Sequence, residues 1–277
     1  MITHHLPETG PQGFFTSDDE RIYYESYGEG EVVVLCHGLG GNHAIWYQQV
    51  PVLAQSYRVV TWDQRGFGRS SNKTGQAGPA TATRDLKALL DCLGVDQAHL
   101  VGQSMGGWAV AGFALAYPER TRSLILANTV AGIFTPAIKK AFDAFARALA
   151  AAPPPHKLPF GHHPAIGQQL TRQNLAQAFL YKQIGSTAEP PPANMPALLQ
   201  KTAYPLEAVK RLDIPTLFVV GAHDPIFGPE MIREAASLLP NARVIEIPDT
   251  GHSPYFEAPQ QWNEAVLAFL RETNLKE

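Results

Sequence analysis

Ser104 stands at the centre of Gly102-Gln103-Ser104-Met105-Gly106-Gly107, and two later segments, Gly221-Ala222-His223-Asp224-Pro225 and Asp249-Thr250-Gly251-His252-Ser253-Pro254, offer an acid and an imidazole. A serine hydroxyl is a poor nucleophile at neutral pH. It needs a base to take its proton, and the base needs a group that fixes its tautomer and stabilises its cation. Ser104, His252 and Asp224 can fill those roles, in the chain order serine, acid, histidine that belongs to a serine carried on a sharp strand-to-helix turn. A bare Gly-x-Ser-x-Gly match is weak. Its context strengthens it: residues 98–101 are an apolar run, and 108–116 are too apolar and alanine-rich for anything but a buried helix. Strand, tight turn and helix make a nucleophile elbow, in which Gly102 and Gly106 let the flanking elements crowd the serine.

Attack on a carbonyl builds charge on its oxygen, so the chemistry also requires donors aimed at that oxygen. His37-Gly38-Leu39-Gly40-Gly41 follows the apolar run 32–36 and can present the Leu39 amide, with the Met105 amide as the second donor. Losing one such donor typically costs about 100 to 1,000-fold in rate.

The elements that must hold these residues alternate. Residues 21–27 read as a strand that 28–31 turn into a hairpin with 32–36, and 32–36 is apolar on both faces, as a strand inside a covered parallel sheet should be. A helical stretch reaches residue 54, a strand covers 57–61, a helix 81–93, and further apolar runs fall at 98–101 and 123–127. Repeated strand and helix imply a right-handed parallel sheet. After residue 128 the rhythm breaks. Helical segments at 136–152, 164–184 and 195–201, separated by prolines at 153–155 and 190–192, indicate a helical cap at 129–211 inserted into a core of 1–128 and 212–277. The alternation resumes with a strand at 214–221, a helix at 229–239, a strand at 243–247 and a helix at 260–270. Acid and histidine then follow strand C-termini, where ligand crevices of α/β sheets form.

With these motifs in order, the sequence resembles the α/β-hydrolase family over nearly its whole length. The matching pieces are His37-Gly38-Leu39-Gly40-Gly41, the segment from Asp63 to Ser70, Gly102 to Gly107, Gly221-Ala222-His223-Asp224 and Gly251-His252-Ser253-Pro254. The resemblance implies a mostly parallel sheet flanked by helices, catalytic Ser104, Asp224 and His252, and a cap like that of esterases, lactonases and carbon-carbon bond hydrolases. Serine at the elbow argues against the haloalkane dehalogenase and epoxide hydrolase branches, which carry aspartate there. The loop at His37 lacks the longer Gly-Gly-Gly-Pro-Gly form common in carbon-carbon bond hydrolases.

Neighbouring residues have plainer readings. Asp249 lies too near His252 in sequence to reach around the ring, and Asp213 precedes its strand. His4, His5, His156, His162 and His163 read as exposed, His43 and His223 as solvated loop residues, and His37 as a brace for its own loop. Asp63 and Arg65 read as a pair holding a structural loop. The apolar cap residues Phe134, Phe142, Phe145, Leu175, Phe179 and Tyr181 should pack mainly among cap helices, a few lining a pocket.

Composition narrows the partners. The chain has 277 residues, 45% apolar and 17% charged, with a net charge of -3. That suits one large α/β domain and gives no broad basic face for nucleic acid. Residues 1–7 have no signal-peptide pattern, and no apolar run approaches the roughly 20 residues a bilayer span needs. A cytoplasmic protein without membrane contact is expected, with Cys36 and Cys92 as small core residues. No metal-ligand spacing occurs and the triad needs no cofactor, only water. Nothing marks an oligomer interface. Residues 129–211 hold nine Lys or Arg against three acids, about +6, while the rest is about -9. Such a cap would attract substrates bearing a carboxylate. The expected activity is hydrolysis of a small carboxylic ester or lactone. The alternatives are cleavage of a carbon-carbon bond in a vinylogous keto acid, and a non-enzymatic ligand receptor on the same fold.

Overall fold

The computed structural model describes residues 9–151, 163–186 and 192–274. Residues 1–7, His156, His162, Lys157, Glu189 and the prolines at 153–155, 190 and 191, all used above, lie outside them. The chain runs β1 (Thr9–Ser17), β2 (Glu20–Tyr27), β3 (Val32–Cys36), α1 (Val50–Leu53), β4 (Arg58–Trp62), α2 (Pro79–Cys92), β5 (Ala98–Gln103), α3 (Gly106–Ala116) and β6 (Thr121–Ala127). Among the described residues five helices follow: α4 (Pro136–Ala150), α5 (Gln168–Gln173), α6 (Leu175–Ser186), α7 (Met195–Lys201) and α8 (Leu206–Val209). β7 (Thr216–Gly221), α9 (Pro229–Ala236), β8 (Ala242–Ile247), α10 (Pro254–Glu257) and α11 (Pro259–Asn274) complete the chain.

All eight strands form one sheet in the order β1-β2-β4-β3-β5-β6-β7-β8, parallel except for the β1–β2 and β2–β4 pairings. This is the α/β-hydrolase fold expected above. Two local readings are corrected. The hairpin joins β1 to β2, through Asp18 and Asp19 with φ of 46° and 64°, and not β2 to β3. β4 lies between those two, with Tyr24 opposite Trp62 on one side and Val34 opposite Val60 on the other. β3 is buried along its whole length, so its edges belong to β4 and β5, and the segment after β2 is a crossover.

Helices cover both faces. On one, Leu86, Leu90, Phe113 and Phe218 pack beneath α2 and α3; on the other, Trp46, Trp262, Val266 and Phe269 pack beneath α11. Cys36 is buried, whereas Cys92 is exposed at the end of α2 and is no core residue. The helix expected over 164–184 breaks at Asn174, whose side chain accepts from Gln177 N at 3.1 Å and starts α6 as an N-cap. Leu175 and Phe179 of α6 are exposed. No described helix is long and apolar enough to cross a membrane.

Candidate active site

β5 delivers Ser104 at its C-terminal end, and the residue has φ of 47°, a left-handed conformation costly for any side chain but glycine. Crowding holds it there. A Cβ on Gly106 would lie 2.2 Å from the Cys36 carbonyl oxygen, and one on Gly102 would lie 2.5 Å from Val110 Cγ2. Ser104 N donates to Ala127 O of β6 at 3.0 Å, locking the turn to the sheet.

The ends of β7 and β8 bring the acid and the imidazole together. His252 Nδ1 lies 2.9 Å from Asp224 Oδ2, and both residues are buried. A carboxylate only accepts, so Nδ1 carries the proton and Nε2 keeps its lone pair. Asp224 Oδ1 accepts from Ile226 N at 2.8 Å and Phe227 N at 3.2 Å, and Asn128 Nδ2 donates to Oδ2 at 2.8 Å. Burial alone would raise the Asp224 pKa. The His252 charge and these hydrogen bonds outweigh it and hold the carboxyl below its ordinary value, so it stays ionised. Asp249 and Asp213, the rival acids, are exposed.

The histidine segment also meets the elbow. Gln103 Nε2, from the residue before the serine, donates to His252 O at 3.2 Å. Among the described residues no side chain hydrogen-bonds Ser104 Oγ. Hydroxyl–imidazole contacts of this kind often tighten only when substrate is bound.

Gly38 lies against the serine: a Cβ there would sit 3.1 Å from Ser104 Cβ. Gly41 N bonds to Gly38 O at 3.1 Å, and this turn carries Leu39 at its tip, 37% exposed. Neither the Leu39 nor the Met105 amide donates to an acceptor among the described residues, so both are available to an external oxygen. His37 braces the loop as expected. Its Nε2 accepts from Gln64 N at 3.0 Å and its Nδ1 donates to Gly38 O at 2.8 Å, the neutral tautomer, consistent with burial lowering its pKa.

Three readings are corrected. Asp63 does not pair with Arg65. Asp63 accepts from His43 N at 2.6 Å, His43 Nδ1 at 2.8 Å and Arg69 N at 2.7 Å, while Arg65 turns away to Asp85 on α2 at 2.6 Å. His43 is therefore no solvated loop residue, with Glu25 3.4 Å from its other ring nitrogen. His163 is half-buried, its ring 5.0 Å from that of Tyr181. His223 is exposed, as expected.

Two residues escaped the sequence reading. Asn128, with φ of 50°, closes β6 and grips Asp224; its signal is a polar residue ending an apolar strand. Glu257 on α10 accepts from Gly251 N at 2.8 Å, Gly167 N at 2.9 Å and Ser253 N at 3.0 Å. It thus holds the backbone on both sides of His252 and ties it to the helices inserted between β6 and β7. Burial raises its pKa, against the pull of those three amides.

α6 reaches the same loops. Asn42 Nδ2 donates to Ile184 O at 2.9 Å, Tyr181 Oη lies 3.1 Å from Ser253 Oγ, and Gln177 Nε2 donates to Phe256 O at 2.6 Å. Two cavities flank this contact, one of about 800 Å³ bounded by Phe145, Arg172 and Thr250, and one of about 180 Å³ bounded by Leu39 and Lys182.

Comparison with known proteins agrees with the fold. A family model described as alpha/beta hydrolase fold matches residues 31–259. A protein of Caulobacter sp. (strain K31) with the provisional name carbamate hydrolase is 31% identical over 91% of this chain and 96% of its own length. The 3-oxoadipate enol-lactonase 2 of Acinetobacter baylyi is 28% identical over 99% of this chain and 100% of its own. Among solved structures, a malate-bound thermophilic esterase from Thermogutta terrifontis superposes with a TM-score of 0.78 at 27% identity, covering 95% of this chain and 99% of that one.

Proposed function

Since the chain belongs to the α/β-hydrolase fold family, and several members similar to it carry the names of hydrolases, we propose that it is a serine hydrolase of small carboxylic esters or lactones, acting through Ser104, His252 and Asp224. His252 Nε2 takes the Ser104 proton as Oγ attacks the substrate carbonyl carbon. The Leu39 and Met105 amides hold the oxyanion. His252 then protonates the departing oxygen, leaving an acyl-enzyme that water hydrolyses by the same steps. Asp224 keeps the proton on Nδ1 and stabilises the imidazolium. Every proton lost is returned, so the cycle balances with these groups and water.

The observation that carries this reading is the buried 2.9 Å contact between His252 Nδ1 and Asp224 Oδ2, on a segment whose His252 O accepts from Gln103, the residue before a serine held at φ 47°. The uncommitted Leu39 and Met105 amides support it further. Residues 129–211 act in this proposal as a cap over the site. An esterase holding malate and a lactonase named for a dicarboxylic acid, both similar to this chain, together with the basic charge of the cap, favour a substrate that bears a carboxylate.

The test is turnover of p-nitrophenyl acetate by the wild type and by Ser104→Ala, with folding checked by circular dichroism. Loss of roughly 10⁴-fold or more in kcat is expected. A folded Ser104→Ala protein as active as the wild type would sink the proposal, and tight ligand binding by a wild type that turns nothing over would favour a receptor.

A further inference from the structure

The 180 Å³ cavity has the oxyanion loop for one wall, at Leu39, Gly40 and Gly41, and α6 for another, at Tyr181 and Lys182, with His163 beside them. The walls are fastened to each other. A Cβ on Gly185 would lie 2.8 Å from Gly40 O, so α6 rests directly on the loop, and Asn42 pins it there through Ile184 O. The space is therefore a built feature of the fold, bounded by the loop that carries the proposed Leu39 donor.

Lys182 is the cation on its wall, and like Lys73, Lys140 and Lys201 it is in no ion pair among the described residues, whereas three other lysines are. Lys87, Lys139 and Lys210 each hold a carboxylate three or four residues away on their own helix, at 2.6, 2.5 and 2.7 Å. α6 contains no acidic residue, and among the described residues no carboxylate pairs with Lys182. Its ammonium, on an exposed residue, stands unpaired beside a cavity whose walls also carry Leu39, Ile45, glycine backbone and the rings of His163 and Tyr181. The apolar part of this wall, Leu39, Ile45 and the Tyr181 ring, beside one cation suits a short methylene chain ending in a carboxylate.

We propose that this cavity is a carboxylate subsite in which Lys182 binds the free acid at the far end of the substrate's acyl chain, so that half-esters of dicarboxylic acids, or lactones that keep a free carboxylate, are preferred over neutral esters. The inference rests on the serine-hydrolase reading above and names the substrate class of that site.

The experiment compares kcat/KM for 4-nitrophenyl hydrogen adipate with that for its neutral methyl ester, after subtracting uncatalysed hydrolysis. Wild type, Lys182→Met, Lys182→Arg and Arg172→Met are measured. Arg172→Met removes the same charge from the larger cavity and controls for the general field. The acid-to-neutral ratio is expected to fall about tenfold in Lys182→Met, to recover largely in Lys182→Arg, and to stay within about twofold in Arg172→Met. A ratio unmoved by Lys182→Met, or lowered equally by both methionine variants, overturns the subsite. If the wild type cleaves neither ester, the serine-hydrolase reading fails on its own account. Calorimetric binding of adipate then decides the subsite: affinity about tenfold weaker in Lys182→Met upholds it, and equal or absent binding overturns it.

Discussion

Glu257→Gln separates holding the fold from holding His252. The carboxylate accepts three amides: Gly251 N and Gly167 N on Oε2, and Ser253 N on Oε1. Glutamine has one oxygen, which best serves by taking the Oε2 position, and its NH₂ then faces the Ser253 amide, donor against donor. One hydrogen bond to a charged group, worth about 1.5–3 kcal/mol, is lost, and the other two drop to roughly half strength. Against this, Glu257 has a raised pKa because of burial, so the three amides do not fully offset the desolvation of its charge, and the neutral glutamine escapes that cost. The opposing effects leave a net loss of about 2 kcal/mol or less, a Tm lower by no more than about 8 °C. A carboxyl with a raised folded pKa also makes stability fall as pH rises from about 4.5 through the folded value, and the variant should lose that slope. Catalysis should suffer more, because His252 lies between the two amides on either side and one tether is gone. A 1 Å misplacement can cost about 100-fold, so kcat on p-nitrophenyl acetate should drop roughly 10 to 100-fold with KM little changed. A folded variant with kcat within about twofold of wild type would refute the positioning argument.

The remaining predictions concern the paired charges below the site. Arg65→Met strands the fully buried Asp85 carboxylate, so urea unfolding should show a loss of about 3–5 kcal/mol, most of it recovered in Arg65→Met with Asp85→Leu; a single variant as stable as the wild type would contradict the pairing. His43 has a raised pKa, because Asp63 outweighs burial, and Asp63 a lowered one. The His43 contribution is full below about 6.5 and lost as pH rises through its folded value, and that of Asp63 is present above about 3.8 and lost below. His43→Gln should therefore cost about 1 kcal/mol more at pH 5.5 than at pH 9, and an equal cost at both would disprove the ion pair.

What the sequence revealed and what it hid follow from range. The elbow, the inner strands and the order of acid and histidine are legible because glycine spacing and two-sided apolar runs are local. β1 was hidden because Thr9–Ser17 offers only Phe14 and Phe15 as apolar residues among glycine, proline and polar groups. The turn at Gly28 to Gly30 looked like a hairpin because pairing with the next strand in sequence is the local default, whereas β4 joins β2 and β3 from more than twenty residues away. Asp63 and Arg65 looked like a pair for the same reason. Their real partners, His43 and Asp85, lie twenty residues off in opposite directions along the chain. Asn128 reaches Asp224 and Glu257 reaches Gly167 across about ninety residues, which spacing cannot announce.

These long-range contacts also bear on how the site is assembled. The oxyanion loop meets α6 through Asn42 and Ile184, the histidine segment meets it through Ser253 and Tyr181, and Glu257 adds Gly167 just before α5. Serine and acid, by contrast, are fixed by the sheet itself, Ser104 N on Ala127 O and Asp224 on Asn128. In the proposed mechanism the parts that must be rigid at attack therefore come from the core, while those that would meet the substrate oxygen and move its proton lean on the helices between β6 and β7. Shifting α6 would break its bonds to both loops, so the position of that helix and the geometry of base and oxyanion donor cannot change independently. Substitutions on α6 that loosen it should then lower kcat even where they touch no reacting atom, and those confined to its cavity wall should act on the choice of substrate.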